Sequence, residues 1–178
     1  MSNFSFLRNK PEFSSFAQHC IHAEELYKDS PNSCVTTSRA ALESIVKWLY
    51  KHDYRLQRVN TQGQDLFSSM ENDVFKRLFS AELLTQMHKI RMMANDVLHH
   101  HHQVPNEQAL FCLRALFNLV QWVDRKYGQN YVPQQFNKDD VPENTSGFMQ
   151  AIKYAAVAVV GGAALITAKN VLLDDRKY

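Results

Sequence analysis

The chain has 178 residues, with 20 Lys and Arg against 18 Asp and Glu, a net charge of +2 with histidines neutral. That near balance excludes the bulk positive field that draws nucleic acid non-specifically, so any anion site has to be local. Hydrophobic residues are 45% and charged residues 21%, and with only five Gly and five Pro the composition favours a helical globular domain over a many-stranded sheet or a disordered chain.

Residues 1–10 lack the apolar run of a signal peptide. Pro11 and Glu12 then suit a first helical turn, and Phe13, Phe16, Ala17, Cys20, Ile21 and Leu26 supply an apolar face over 11–28. Asp29-Ser30-Pro31-Asn32 reads as a turn, with Asn32 or Ser33 as the cap of the next helix. That helix, about 33–52, turns Val35, Leu42, Ile45, Val46 and Leu49 inward, and carries Arg39, Glu43 and Lys47 as a polar line. Residues 53–64 read as a loop, followed by short helical pieces near 65–70 and 73–79. Ser80-Ala81-Glu82 opens a longer helix over 81–102, and Val104-Pro105 breaks it. The helix over 105–127 has the clearest apolar stripe, with Gly128 as its stop. Residues 129–147, with Pro133, Pro142 and Gly147, read as a linker. Cys20, Cys34 and Cys112 lack any C-x-x-C pairing and read as reduced, partly buried thiols of a cytoplasmic protein.

Chemistry concentrates on the helix over 81–102. Arg91, Asn95 and His99 are four apart, so they form one stripe that drifts by about 40° per step. His88 and His102 fall on the same stripe. A cation, an amide and an imidazole aligned in this way can hold a phosphate and move a proton. In that reading Arg91, Asn95 and His99 are candidate catalytic residues: His99 as general acid or base, Arg91 neutralising phosphorane charge, Asn95 orienting the phosphate. Arg39, Arg91, His88 and His102 are candidate nucleic-acid contacts. The competing reading is structural, with Arg91 and Asn95 satisfying buried carbonyls or pairing with Glu43. His99–His102 could bind a metal one turn apart, but no Cys, Asp or Glu at ligand spacing completes a site, so neither a metal nor another cofactor is expected.

The segments Met1-Ser-Asn-Phe-Ser-Phe-Leu7 with Pro11-Glu12-Phe13, Arg39-Ala-Ala-Leu-Glu43, Val46-Lys-Trp-Leu-Tyr50, Ile90-Arg91…Asn95…His99 and Leu113-x-x-Leu116-Phe117…Val120-x-Trp122-Val123 carry a resemblance. Over residues 1–128 the chain resembles the helical domain of unknown function at the N-terminus of some type I restriction endonuclease R subunits, also found alone. That domain is similar to the HEPN superfamily. The resemblance implies an all-α, HEPN-like helical bundle, a homo-dimer or higher oligomer, and a prokaryotic or phage-related role in antiviral defence or nucleic-acid regulation, with RNA or a nucleotide and a partner protein of a defence system as ligands. It also implies metal-independent ribonuclease activity as one function of such domains. Here seven residues separate Arg91 from His99, Asn95 stands between them, and Ala94 replaces the usual Gly.

The segment 148–178 differs in composition. Tyr154–Ala168 holds no charge, and as a helix it reaches about 22 Å, against a hydrocarbon core of ~30 Å. Extending it over 148–173 gives the length of a span, with Lys153 and Lys169 at its ends. Ala158, Gly161 and Gly162 give it a small-residue face suited to close helix contact. It reads either as an inner-membrane contact or as an oligomerisation helix. Three functional classes stand open: an RNA-engaging domain, a protein-interaction module, and a membrane effector acting through this tail.

Overall fold

Ser30 and Pro31 illustrate how local chemistry sets the helices. Pro31 takes the first position of α2 (Pro31–His52), where its missing N–H costs nothing. The cap therefore falls on Ser30, whose Oγ accepts from the Ser33 N–H at 3.2 Å, and not on Asn32 or Ser33. Asn32 serves elsewhere, its Oδ1 accepting from the Val104 N–H at 2.8 Å. The computed structural model describes residues 2–59, 63–100 and 103–141. These form helices and short 3-10 turns with no strand among the described residues, so the fold is all-α.

The body consists of α1 (Ser14–Tyr27), α2, α5 (Ala81–His100) and α6 (Asn106–Tyr127), with two short helices, α3 (Leu66–Glu71) and α4 (Asp73–Lys76), between α2 and α5. The predicted helices fall within a few residues of these bounds. In α5 the fully buried Met87, Ile90 and Ala94 recur at three- and four-residue spacing, which turns Arg91, Asn95 and the other polar residues away from the core. The core also takes in Phe4 and Leu7 of the N-terminal segment and a ring cluster of Phe13, Phe16 and Trp48. Burying each such side chain contributes about 1.5–3 kcal/mol. Among the described residues no helix is long and apolar enough to cross a membrane.

Three buried carboxylates tie the elements together. Glu24 accepts from the Asn3 backbone N–H at 2.9 Å and from Asn3 Nδ2 at 2.7 Å, and also bonds Ser2 Oγ, anchoring the N-terminal segment to α1. Asp53 accepts from the Arg55 N–H at 2.8 Å, from the Arg55 guanidinium at 3.0 and 2.6 Å, and from Tyr127 Oη at 2.6 Å. Asp124 receives Lys10 Nζ at 2.8 Å. The Arg55 guanidinium holds the Asp53 carboxyl well below the usual range against the opposing effect of burial.

Residues 129–141, which read as part of a linker, instead pack along this unit as a strap. Lys10 Nζ donates to the carbonyls of Gln129 at 2.6 Å and Asn130 at 3.2 Å. The Phe136 ring meets Phe117 edge-on at 5.6 Å, and Val141 is buried. Asn137 and Asn3 exchange two hydrogen bonds, of 2.7 and 3.0 Å. A few anchors of this kind, spread over a polar stretch, leave no periodic signal in the sequence. Residues 142–178, including Ala158, Gly161, Gly162 and the whole apolar tail, lie outside the described residues, as do His101 and His102.

Candidate anion-binding site

On α5, Arg91 and Asn95 are half-buried and His99 is exposed in the last turn. Asn95 makes no side-chain hydrogen bond among the described residues. Arg91 and His99 are separated by two helical turns, about 12 Å along the axis, and helical side chains lean toward the N-terminus. Arg91 instead meets a group supplied by α3.

The residue under Arg91 is Phe67 of α3, whose ring centroid is 4.7 Å from the guanidinium carbon. An aromatic face near a guanidinium attracts its charge. The same ring meets His88 edge-on at 6.2 Å. His88 Nε2 in turn lies 3.3 Å from Glu71 Oε1 at the end of α3. Burial lowers the His88 imidazole below its usual value; Glu71 opposes this, while Arg91 and Lys76 add to it. Thus α3, though only six residues long, arranges two of the predicted stripe residues, Arg91 and His88, around one ring.

Arg39 approaches from α2. Asp65, the cap of α3, accepts the Ser68 N–H at 2.7 Å. Its carboxyl is held below the usual range mainly by that amide, and both Arg91 and Arg39 lower it further. Both guanidinium groups therefore contribute to the positive field at this exposed carboxylate. In each of them Nε is shielded from solvent and has no hydrogen-bond partner. Arg39 shares Glu43 with Lys47, at 3.7 and 2.8 Å respectively. Arg91 has no carboxylate within ion-pair distance among the described residues. It is a cation whose terminal N–H groups can make charge-assisted hydrogen bonds.

The structure therefore groups Arg91 with His88 around Phe67, sets Arg39 on the neighbouring α2, and leaves His99 two turns away. Asp65, Phe67 and Glu71 complete the site, and sequence reading did not single them out. The sequence places a short helical piece near 65–70, but nothing in its spacing says which helix it faces. The thiols take no part: Cys20, Cys34 and Cys112 are buried, and burial pushes Cys112 up to about 12 and the other two higher still.

A search of curated proteins finds the "Type I restriction enzyme EcoKI endonuclease subunit" of Escherichia coli (strain K12), 30% identical over 131 residues. The aligned region is 73% of this chain but 10% of that protein, so the chain spans a small part of the relative's length. No solved structure matches. A family model described as "Domain of unknown function (DUF4145)" matches residues 22–140, which include α2 to α6 and most of the strap, and the chain belongs to that family.

Proposed function

We propose that this domain serves a prokaryotic or phage-related defence system by gripping the phosphate backbone of RNA, or of a nucleotide, through Arg91 and Arg39. The kinship with a restriction endonuclease subunit supports the defence setting. The observation that carries the ligand is Arg91 itself: its guanidinium lies over the Phe67 ring with no carboxylate within ion-pair distance among the described residues, and Arg39 acts with it on the field at Asp65. A phosphate oxygen pair matches that N–H geometry and balances the charge. His88 shares the Phe67 ring with Arg91, whereas His99 lies two turns further along α5. The arrangement supports binding; cleavage requires His88 or His99 to reach the 2′-hydroxyl of the bound nucleotide.

Fluorescence anisotropy with labelled single-stranded RNA across a salt series tests the proposal. Arg91→Gln and Arg39→Gln each weaken binding and reduce the salt slope by about 0.7 per lost phosphate contact. Unchanged affinity and slope in both variants refute it. Incubating the RNA with wild type, His88→Ala and His99→Ala shows whether cleavage follows, and which imidazole it needs.

A protein-interaction role is favoured by a separate observation: Met92 and Leu98 of α5 are 55% and 53% exposed. In that reading RNA binding is absent and a partner co-purifies with the full chain. The apolar segment 148–173 would then localise or multimerise the domain, which deletion after Gly147 tests through sedimentation and membrane fractionation.

A further inference from the structure

Apart from the arginine pair, a cavity of about 510 Å³ opens between α5, α6 and the strap. The rings of Trp122, Tyr131 and Phe136 and the carboxamides of Gln86, Asn118 and Gln121 line it. Its two charged lining groups, Glu82 and Arg125, are of opposite sign. A pocket of this size, with aromatic walls and a few convergent polar groups, is built for a small ligand.

The amides are unevenly satisfied. Asn118 Nδ2 donates to Gln86 Oε1 at 3.0 Å, and Gln86 Nε2 donates weakly to Glu82 at 3.4 Å. Asn118 Oδ1 and its second amide hydrogen make no hydrogen bond among the described residues. A carboxamide carries an acceptor and a donor, as a nucleobase edge does. Gln121 Oε1 accepts twice, from the Gln134 N–H at 3.0 Å and from Tyr131 Oη at 3.3 Å. Its Nε2 is shielded from solvent with no acceptor. A donor left so is costly, and a small turn of the side chain presents it to an acceptor seated in the cavity. Aromatic faces stack flat rings. Arg125 on the rim has no carboxylate within ion-pair distance among the described residues and suits a phosphate attached to the ring.

We propose that this groove binds a single nucleotide by its base, at a site separate from the Arg39–Arg91 pair. The ring stacks on the aromatic walls, its hydrogen-bonding edge meets Asn118, and its phosphate meets Arg125. The proposal goes beyond the backbone grip described above and does not depend on it.

Isothermal titration calorimetry of the full chain with adenosine, guanosine, cytidine and uridine 5′-monophosphates tests this. At least one saturates, binding at least tenfold more weakly to Asn118→Leu and severalfold more weakly to Arg125→Gln. Asn118 is exposed, so circular dichroism of Asn118→Leu is expected to match wild type, and Gln86→Leu provides a second variant of the same amide pair. The proposal is overturned if none of the four binds at millimolar concentration, or if Asn118→Leu and Gln86→Leu bind like wild type. It is also overturned if Arg91→Gln abolishes binding, which assigns the signal to the arginine pair, or if inorganic phosphate or methyl glucoside competes as well as the nucleotide.

Discussion

Replacing Asp53 by Asn isolates the contact that joins the end of α2 to the end of α6. Asp53 is 2% exposed and its carboxylate serves Arg55 and Tyr127 together. The amide keeps one acceptor oxygen but loses the charge. The Arg55 guanidinium is about half exposed, so its ion pair contributes within ~0–1 kcal/mol. The Tyr127 bond to a buried charged acceptor adds about 1.5–3 kcal/mol. The variant is therefore destabilised by about 2–4 kcal/mol at pH 7, which lowers Tm by roughly 3 °C per kcal/mol for a unit of this size. The sign with pH is definite. Because the folded carboxyl is held below its unfolded value, its stabilisation is complete above the ordinary carboxylate pKa of about 4 and fades as pH falls below that. Thermal melts of wild type and Asp53→Asn should be well separated at pH 7 and converge in acid, and Tyr127→Phe should cost little more in the Asp53→Asn background. A difference below about 0.5 kcal/mol at pH 7, or one that does not change with pH, refutes this reasoning.

Lys10→Met leaves the Asp124 carboxylate buried without its cation and releases the start of the strap, so urea titration should show a loss of about 3–5 kcal/mol. His88→Gln should flatten the fall in stability between pH 7 and 5: the folded imidazole is lowered, so the unfolded chain takes up its proton first as the solution acidifies, and denaturation midpoints at the two pH values measure the difference. Phe67→Ala removes a ring that is 44% exposed, so it should cost under ~1 kcal/mol of stability. It should weaken RNA binding two- to thirtyfold, the equivalent of about 0.5–2 kcal/mol of cation–π contact, as read by anisotropy. Gly128→Ala brings a Cβ to 1.9 Å from Asp124 Oδ1 and 2.6 Å from its backbone oxygen, and should lower Tm through a strain of about 1–3 kcal/mol.

Periodicity located the long helices because a 3.6-residue repeat of apolar side chains is a local property, visible in Met87, Ile90 and Ala94 without knowledge of their partners. The same periodicity put Arg91, Asn95 and His99 on one stripe of α5, where they lie. It could not show which of them share an environment, because that depends on α3, a helix whose docking follows from burial of Leu66 and Met70. Phe67 and Glu71 become site residues only through that docking. The strap was opaque for a different reason: it is held by Lys10, Asn3 and Gln121, each distant in sequence from the backbone group it bonds. Pro31 shows the smallest such effect, shifting a cap by two or three residues through its missing N–H.

The paired amides of Asn3 and Asn137 place the entrance and exit of the helical unit side by side. A module closed in this way can be spliced into a larger polypeptide like a cassette, since both junctions meet the host at one point and none of the helices needs to be cut.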